Sequence, residues 1–225
     1  MINKNNFIVI TTTLANDEIS EKRRNNIINR MNEHELNILF AHGITGVKEE
    51  EIMYNVMLNR FLLARRVDYE YILLCDDDFY PIDNFMVELN KTVDILPHTW
   101  EALHLCPGFL WGREVDKTKN KSFDLETGKP NPTGWIDCFQ IDDSGRVFYN
   151  IDTEFIFDLN AWVGGPIAMV IKKSSVNKVI NKYQSFCNIQ YNDRILTKII
   201  DDNTFICYDP LLGYEREEGG TTFKT

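Results

Sequence analysis

The sequence predicts an α/β fold: a parallel or mixed, Rossmann-like sheet of nucleotide-binding type, covered by helices, in one domain over residues 1–225. Two observations predict it. Ile72–Cys75 is a short, continuous apolar run, which suits a strand buried on both faces, and it ends abruptly in Asp76, Asp77 and Asp78. The residues before it alternate apolar runs with helix-period stretches in the order strand, helix, strand, helix, strand. Right-handed crossovers turn that order into a parallel sheet. Ligands in such sheets bind beyond the carboxyl ends of the strands, where the triplet falls.

Each element has its own reason. Phe7–Ile10 is an apolar run ending in Thr11, Thr12 and Thr13, a first buried strand and its loop. Asp17 or Ser20 caps a helix to about Glu33, with Ile19, Ile27, Ile28 and Met31 on its apolar side and Lys22, Arg23, Arg24 and Arg30 on the other. Asn37–Ala41 is a second short strand. Glu49–Arg66 is the strongest helix, with Ile52, Met53, Val56, Met57, Leu63 and Ala64 at helical spacing, acids at its start and Arg65-Arg66 at its end. After the triplet come a helix over Asp83–Ile95 and a strand over Trp100–Leu105. Residues 107–150 are rich in Pro, Gly and aromatics, which predicts irregular or hairpin structure and not a disordered linker. That stretch is either a meander on the sheet edge or a wall of aromatic platforms suited to sugar rings. Ala161–Ile171 is a bend at Gly164-Gly165 followed by a strand, and Ser174 caps a helix through Tyr183. A short helix over Tyr191–Ile200 and a last strand over Thr204–Tyr208 complete the order.

Three adjacent carboxylates repel one another, so a compensating positive charge is expected, and a divalent cation with oxygen ligands is the simplest one. The alternative is a solvated acidic turn before Pro81. A net charge of −10 argues against nucleic acid or an anionic membrane as the main partner. No apolar run approaches the ~20 residues needed to span a bilayer, and Met1–Asn6 lacks a signal-peptide core. Five scattered cysteines without zinc spacing read as reduced thiols, which places the chain in the cytoplasm.

A buried strand ending in a carboxylate triplet resembles the DxD motif of glycosyltransferases with the A-type (GT-A) fold. The surrounding order is similar to that of the lipopolysaccharide and collagen galactosyltransferase family. Phe7–Thr13, the arginines Arg23-Arg24, the helix and strand over Glu51–Arg65 and Leu74–Phe79, then Gly164–Lys173, Asp193–Leu196 and Tyr208–Leu211 carry that likeness. Many such enzymes supply a late His to the metal, and this chain has none after His104.

The resemblance implies transfer of a sugar from a nucleotide-diphosphate sugar, in particular a UDP-sugar, to a glycan or glycoprotein acceptor. Residues 1–106 would bind the donor and residues 107–225 the acceptor. It implies Mn²⁺ or Mg²⁺ held by Asp76 and Asp78, with Asp76 also reaching the ribose and Asp77 sharing either role or pointing back into the fold. Thr11, Thr12, Thr13 and Leu14 would line the base pocket. Arg23 or Arg24 would reach the base, ribose or phosphates, unless they form a solvated helix face. Asp193 would be the general base of an inverting transfer, or only a helix cap, with Asp152, Glu154 and Asp158 as rivals. Trp111, Trp135 and Trp162, with Gly164 and Gly165, would meet the acceptor. Two other classes use parts of the same pattern: a metal-dependent phosphoesterase or nucleotidyltransferase, and a non-catalytic carbohydrate-binding domain.

Overall fold

A computed structural model describes residues 1–13, 18–43, 49–105, 109–111, 140–141, 147–150, 162–164, 168–185, 204–209 and 212–215. The first third follows the expected order: β1 (Phe7–Thr11), α1 (Glu18–Glu33), β2 (Ile38–Phe40), α2 (Glu49–Arg66) and β3 (Tyr71–Cys75). β1 pairs in parallel with both β2 and β3, with Ile10 opposite Leu74. After β3 come β4 (Phe79–Pro81), α3 (Phe85–Ile95) and β5 (Ala102–His104). The later strands are β6 (Phe109–Trp111), β7 (Gln140–Ile141), β8 (Val147–Asn150), β9 (Trp162–Gly164) and β10 (Ala168–Lys172). Helix α4 (Val176–Ser185), β11 (Thr204–Asp209) and β12 (Gly213–Glu215) follow.

Among the described residues, eight strands form one sheet in the order β2-β1-β3-β10-β5-β11-β8-β7. The sheet is mixed, because β10 runs antiparallel between β3 and β5. Strand alternation divides the core in two. Phe7, Val9, Leu73 and Cys75 face a layer that includes Ile27 and Met31 of α1 and Phe85 and Leu89 of α3. Ile8, Ile10, Ile72 and Leu74 face Met57, Phe61 and Ala64 of α2 and Val179, Ile180 and Tyr183 of α4. Each such large apolar side chain contributes about 1.5–3 kcal/mol by leaving water. A sheet covered on both faces exposes ligands mainly at its strand ends, which is why the carboxyl edge matters.

The structure differs from the expected elements in four places. Arg23 and Arg30 lie on the buried side of α1 with Ile27 and Met31, while Ile19 is 40% exposed. The reason is the partner they meet at the end of β3. Ser20 lies inside α1 and is not its cap. Ser174 belongs to a 3₁₀ turn, Lys173–Ser175, that precedes α4. That turn is pinned because the Lys173 ammonium donates to the carbonyls of Ala64, Arg65 and Val67 at the end of α2. Finally, Pro81 does not simply end a turn. It closes β4, which pairs antiparallel with β12. The helix expected over Tyr191–Ile200 lies outside the described residues.

Candidate functional site

Ile72, Leu73, Leu74 and Cys75 are completely buried, so β3 delivers the next residue straight from the core to the sheet edge. Two residues beyond the Ile10–Leu74 pair stand Thr12 and Asp76, side by side at the carboxyl ends of parallel strands. The triplet then splits between the two layers. Asp76 continues on the side of Leu74, toward α2, where its Oδ1 accepts from Arg60 Nη1 at 2.8 Å. Arg60 Nε also donates to Thr12 Oγ1 at 3.2 Å. A tight turn follows, with Phe79 N donating to the Asp76 carbonyl at 3.2 Å. It swings the next two carboxylates toward α1. There Arg23 Nη2 lies 2.7 Å from Asp77 Oδ1 and 2.7 Å from Asp78 Oδ2. Arg30 Nη2 donates to the Asp77 carbonyl at 2.7 Å, and its guanidinium covers the Tyr80 ring at 3.7 Å.

Three carboxylates are thus set among three guanidiniums, from Arg23, Arg30 and Arg60, drawn from both flanking helices. The compensating charge that adjacency demands is supplied by the protein itself, whatever else binds. Burial pushes the Asp77 carboxyl up to about 6, against the pull of Arg23. Burial, then the Asp76 charge, also raises Asp78, with Arg23 opposing. Cys75, immediately before the triplet, is a free thiol whose burial raises it far above the usual range.

The donor set fits a hard divalent cation. Asp78 Oδ1 is buried and has no hydrogen-bond partner among the described residues, a position a cation would satisfy. Asp76, whose charge acts on Asp78, is 30% exposed, so a cation would be reached from the Asp76 side. Two carboxylates completed by substrate phosphates are a usual set for Mg²⁺. No group of three or more His, Cys, Asp or Glu is gathered to hold a metal among the described residues.

The other candidate residues fall as follows. Thr11 and Thr12 are buried, and only Thr13 of that run is partly exposed, so Thr13 forms its accessible end. Arg24 leaves the cluster and lies over the Phe40 ring at 3.7 Å. Trp111 and Trp162 form one rung of the β6–β9 ladder, and Gly164 pairs with Phe109. Leu14, Trp135, Gly165 and Asp193, with Asp152, Glu154 and Asp158, lie outside the described residues.

Sequence reasoning missed Arg30, Arg60 and the strand that backs the site. The signal for both arginines was spacing: Arg23, Ile27, Arg30 and Met31 share one helical face, as do Met57, Arg60, Phe61 and Ala64. An arginine inside an apolar stripe points at a buried partner. The backing strand is β12, with Gly213 opposite Pro81 and Glu215 opposite Phe79. A side chain at Gly213 would place its Cβ 2.1 Å from the Phe79 ring, so only glycine lets β12 lie against β4. Leu212 ties the ends together: its N–H donates to Leu105 at 3.1 Å and its carbonyl accepts from Ile82 at 3.2 Å. Among the described residues no helix is long and apolar enough to cross a membrane.

No protein-family model matches the chain, and no curated protein matches it. Among solved structures it is similar to a glycosyltransferase involved in the glycosylation of the major capsid of PBCV-1. That match has a TM-score of 0.42 and 10% identity, over 81% of this chain and 67% of that one. It is similar to a mutant Drosophila β-1,4-galactosyltransferase 7 in complex with manganese, UDP-Gal and xylobiose, at TM-score 0.37 and 9% identity, over 77% of this chain and 51% of that one. It is also similar to S. aureus TarS in complex with UDP-GlcNAc, at TM-score 0.47 and 13% identity, over 98% of this chain and 52% of that one. The chain spans about half the length of these last two.

Proposed function

We propose that this chain is a glycosyltransferase that takes a sugar from a nucleoside-diphosphate donor, a UDP-sugar in particular, and passes it to a glycan or glycoprotein acceptor. The observation that carries the reading is the buried Oδ1 of Asp78, without a hydrogen-bond partner among the described residues, two positions from half-open Asp76 at the carboxyl edge of two parallel strands. A Mn²⁺ or Mg²⁺ ion at Asp76 and Asp78 would supply Lewis-acid stabilisation of the leaving diphosphate. Thr13, with buried Thr11 and Thr12 and with Leu14, would line the base pocket. Arg23, held by Asp77 and Asp78, would supply positive charge behind the phosphates, and Asp76 or Asp77 would orient the ribose. Arg24, held on Phe40, would reach the donor only at the base or ribose.

In the transfer, the bond from the sugar's anomeric carbon to the diphosphate oxygen breaks as the acceptor oxygen bonds to that carbon. The acceptor proton passes to Asp193, the general base of an inverting step. Trp111, Trp135 and Trp162, with Gly164 and Gly165, would form the acceptor side. The free buried thiol of Cys75 suits a reducing compartment, and we assign the enzyme to the cytoplasm.

Calorimetry with uridine diphosphate and Mn²⁺ tests the donor half. The parent binds, and Asp78→Ala loses Mn²⁺-dependent binding while staying folded at the assay temperature, because Arg23 keeps Asp77. Equal binding by Asp78→Ala would move the site elsewhere. Release of free phosphate from simple esters without any sugar acceptor would favour a phosphoesterase. For Asp193, the Asn variant keeps capping ability but takes no proton, so transfer falls by about 10²–10⁴ with donor affinity unchanged. Near-parental turnover would remove Asp193 as the base.

A further inference from the structure

We propose that Arg60 is the positioning residue of this site: its guanidinium sets the spacing between the end of β1 and Asp76, and so the geometry offered to a nucleoside diphosphate. The inference rests on the donor reading above and adds a residue that reading does not use.

Arg60 sits on the apolar face of α2 between Met57 and Ala64, and its side chain is 3% exposed. A buried guanidinium there is costly, and an apolar side chain of similar size would serve the core as well or better. What an apolar residue would not do is hold two strand ends at once. One edge of the guanidinium takes Thr12 Oγ1 at 3.2 Å and another takes Asp76 Oδ1 at 2.8 Å. The fork is planar and rigid, so these two bonds fix the distance and the angle between their partners. Both partners lie beyond the last paired residues, Ile10 and Leu74, where the β1–β3 ladder no longer sets their separation. The burial is also one-sided: Asp76 is 30% exposed while Arg60 is sealed. The arginine therefore grips the carboxylate from inside the fold, while part of the Asp76 side chain reaches the surface. Displacing a reacting group by about 1 Å costs on the order of a hundredfold in a catalytic site, so a residue controlling this spacing has leverage without touching ligand.

The test uses the full chain, with uridine, guanosine and cytidine diphosphate as probes, each with Mn²⁺, and amide hydrogen exchange alongside. Three variants separate the roles. Arg60→Lys keeps the charge and loses the fork, Arg60→Met removes both bonds at similar bulk, and Thr12→Val removes one bond and leaves the ion pair. We expect Arg60→Lys to weaken diphosphate binding by about tenfold and Arg60→Met by more, with a smaller loss for Thr12→Val. Amides 12–13 and 76–78 should exchange faster together in the Arg60 variants, while α2 itself keeps its protection. Arg60→Lys remains the informative variant if Arg60→Met fails to fold. Variants that melt lower but bind as tightly as the parent would make Arg60 purely structural and overturn the proposal. Failure of the parent to bind any of the three diphosphates would overturn the donor reading instead. The exchange data would still decide Arg60: joint loosening of both segments supports it, and unchanged exchange at both overturns it.

Discussion

The two flanks of the Asp triplet solve the same electrostatic problem differently. On the α1 flank, Arg23 is 8% exposed and its partners Asp77 and Asp78 are 9% and 18% exposed. Arg23 and Asp77 are sealed and Asp78 is more enclosed than Asp76, and Arg30 adds a bond to the intervening backbone. On the α2 flank, Arg60 is sealed but Asp76 is 30% exposed. A sealed pair is unforgiving, because removing one partner strands the other away from water. A half-open pair lets its carboxylate hydrate when the arginine is lost. The contrast assigns the work: the α1 flank anchors the turn that carries Asp77 and Asp78, and the α2 flank presents Asp76 to whatever arrives.

Breaking each flank in turn tests that assignment. Arg23→Met should cost about 3–5 kcal/mol in urea unfolding, since it leaves buried Asp77 and half-buried Asp78 without their guanidinium. Arg60→Met should cost clearly less, and equal costs would erase the distinction between the flanks.

A second contrast is readable by pH. The folded state holds the Asp77 proton more tightly than the unfolded chain does, so this group lowers stability as pH rises from about 4 to about 6. His104, at the end of β5, behaves oppositely. By strand alternation it faces the α2 side, and burial lowers its pKa to about 4. The fold holds it neutral, so its contribution is lost as pH falls from about 6.5 to about 4. His104→Gln should therefore remove an acid-labile component of about 3 kcal/mol. Asp77→Asn should tilt the profile the other way, making the protein relatively more stable toward neutral pH. Urea midpoints of both variants across pH 4–7 would show opposite changes in slope, and parallel slopes would refute the assignment.

Gly213→Ala probes the backing of the α1 flank. Its Cβ would press on Phe79, whose ring fills the core beneath the turn, and the expected cost is about 1–3 kcal/mol. Thermal unfolding measures it, and a neutral result would mean β12 shifts freely on β4. The smallest effect belongs to Arg24→Ala. This exposed arginine lies on Phe40 and not on the triplet, so its loss should cost about 0.5–1 kcal/mol in stability.

Much of this was legible in the chain. Ile72–Cys75 announced a strand buried on both faces because no residue in it tolerates water, and β3 is that strand. The alternation of runs before it announced the parallel trio β2-β1-β3, because hydrophobic period and crossover handedness leave little else. The triplet's need for positive charge was equally plain, since like charges in adjacent positions repel at any fold. What answered that need was not plain. Arg23 and Arg30 read as a polar helix face, and Arg60 went unremarked within its apolar stripe. Their partners lie 16 to 55 residues away, so no local window contains both ends of either ion pair. The pairing of β12 with β4 is longer in range still, and Gly213 becomes obligatory only when Phe79 lies against it. Local periodicity determined which segments are strands and helices, because burial of a face is written residue by residue. Which arginine meets which aspartate was decided only by tertiary structure, because it depends on how the turn after Asp76 distributes three carboxylates between two helices.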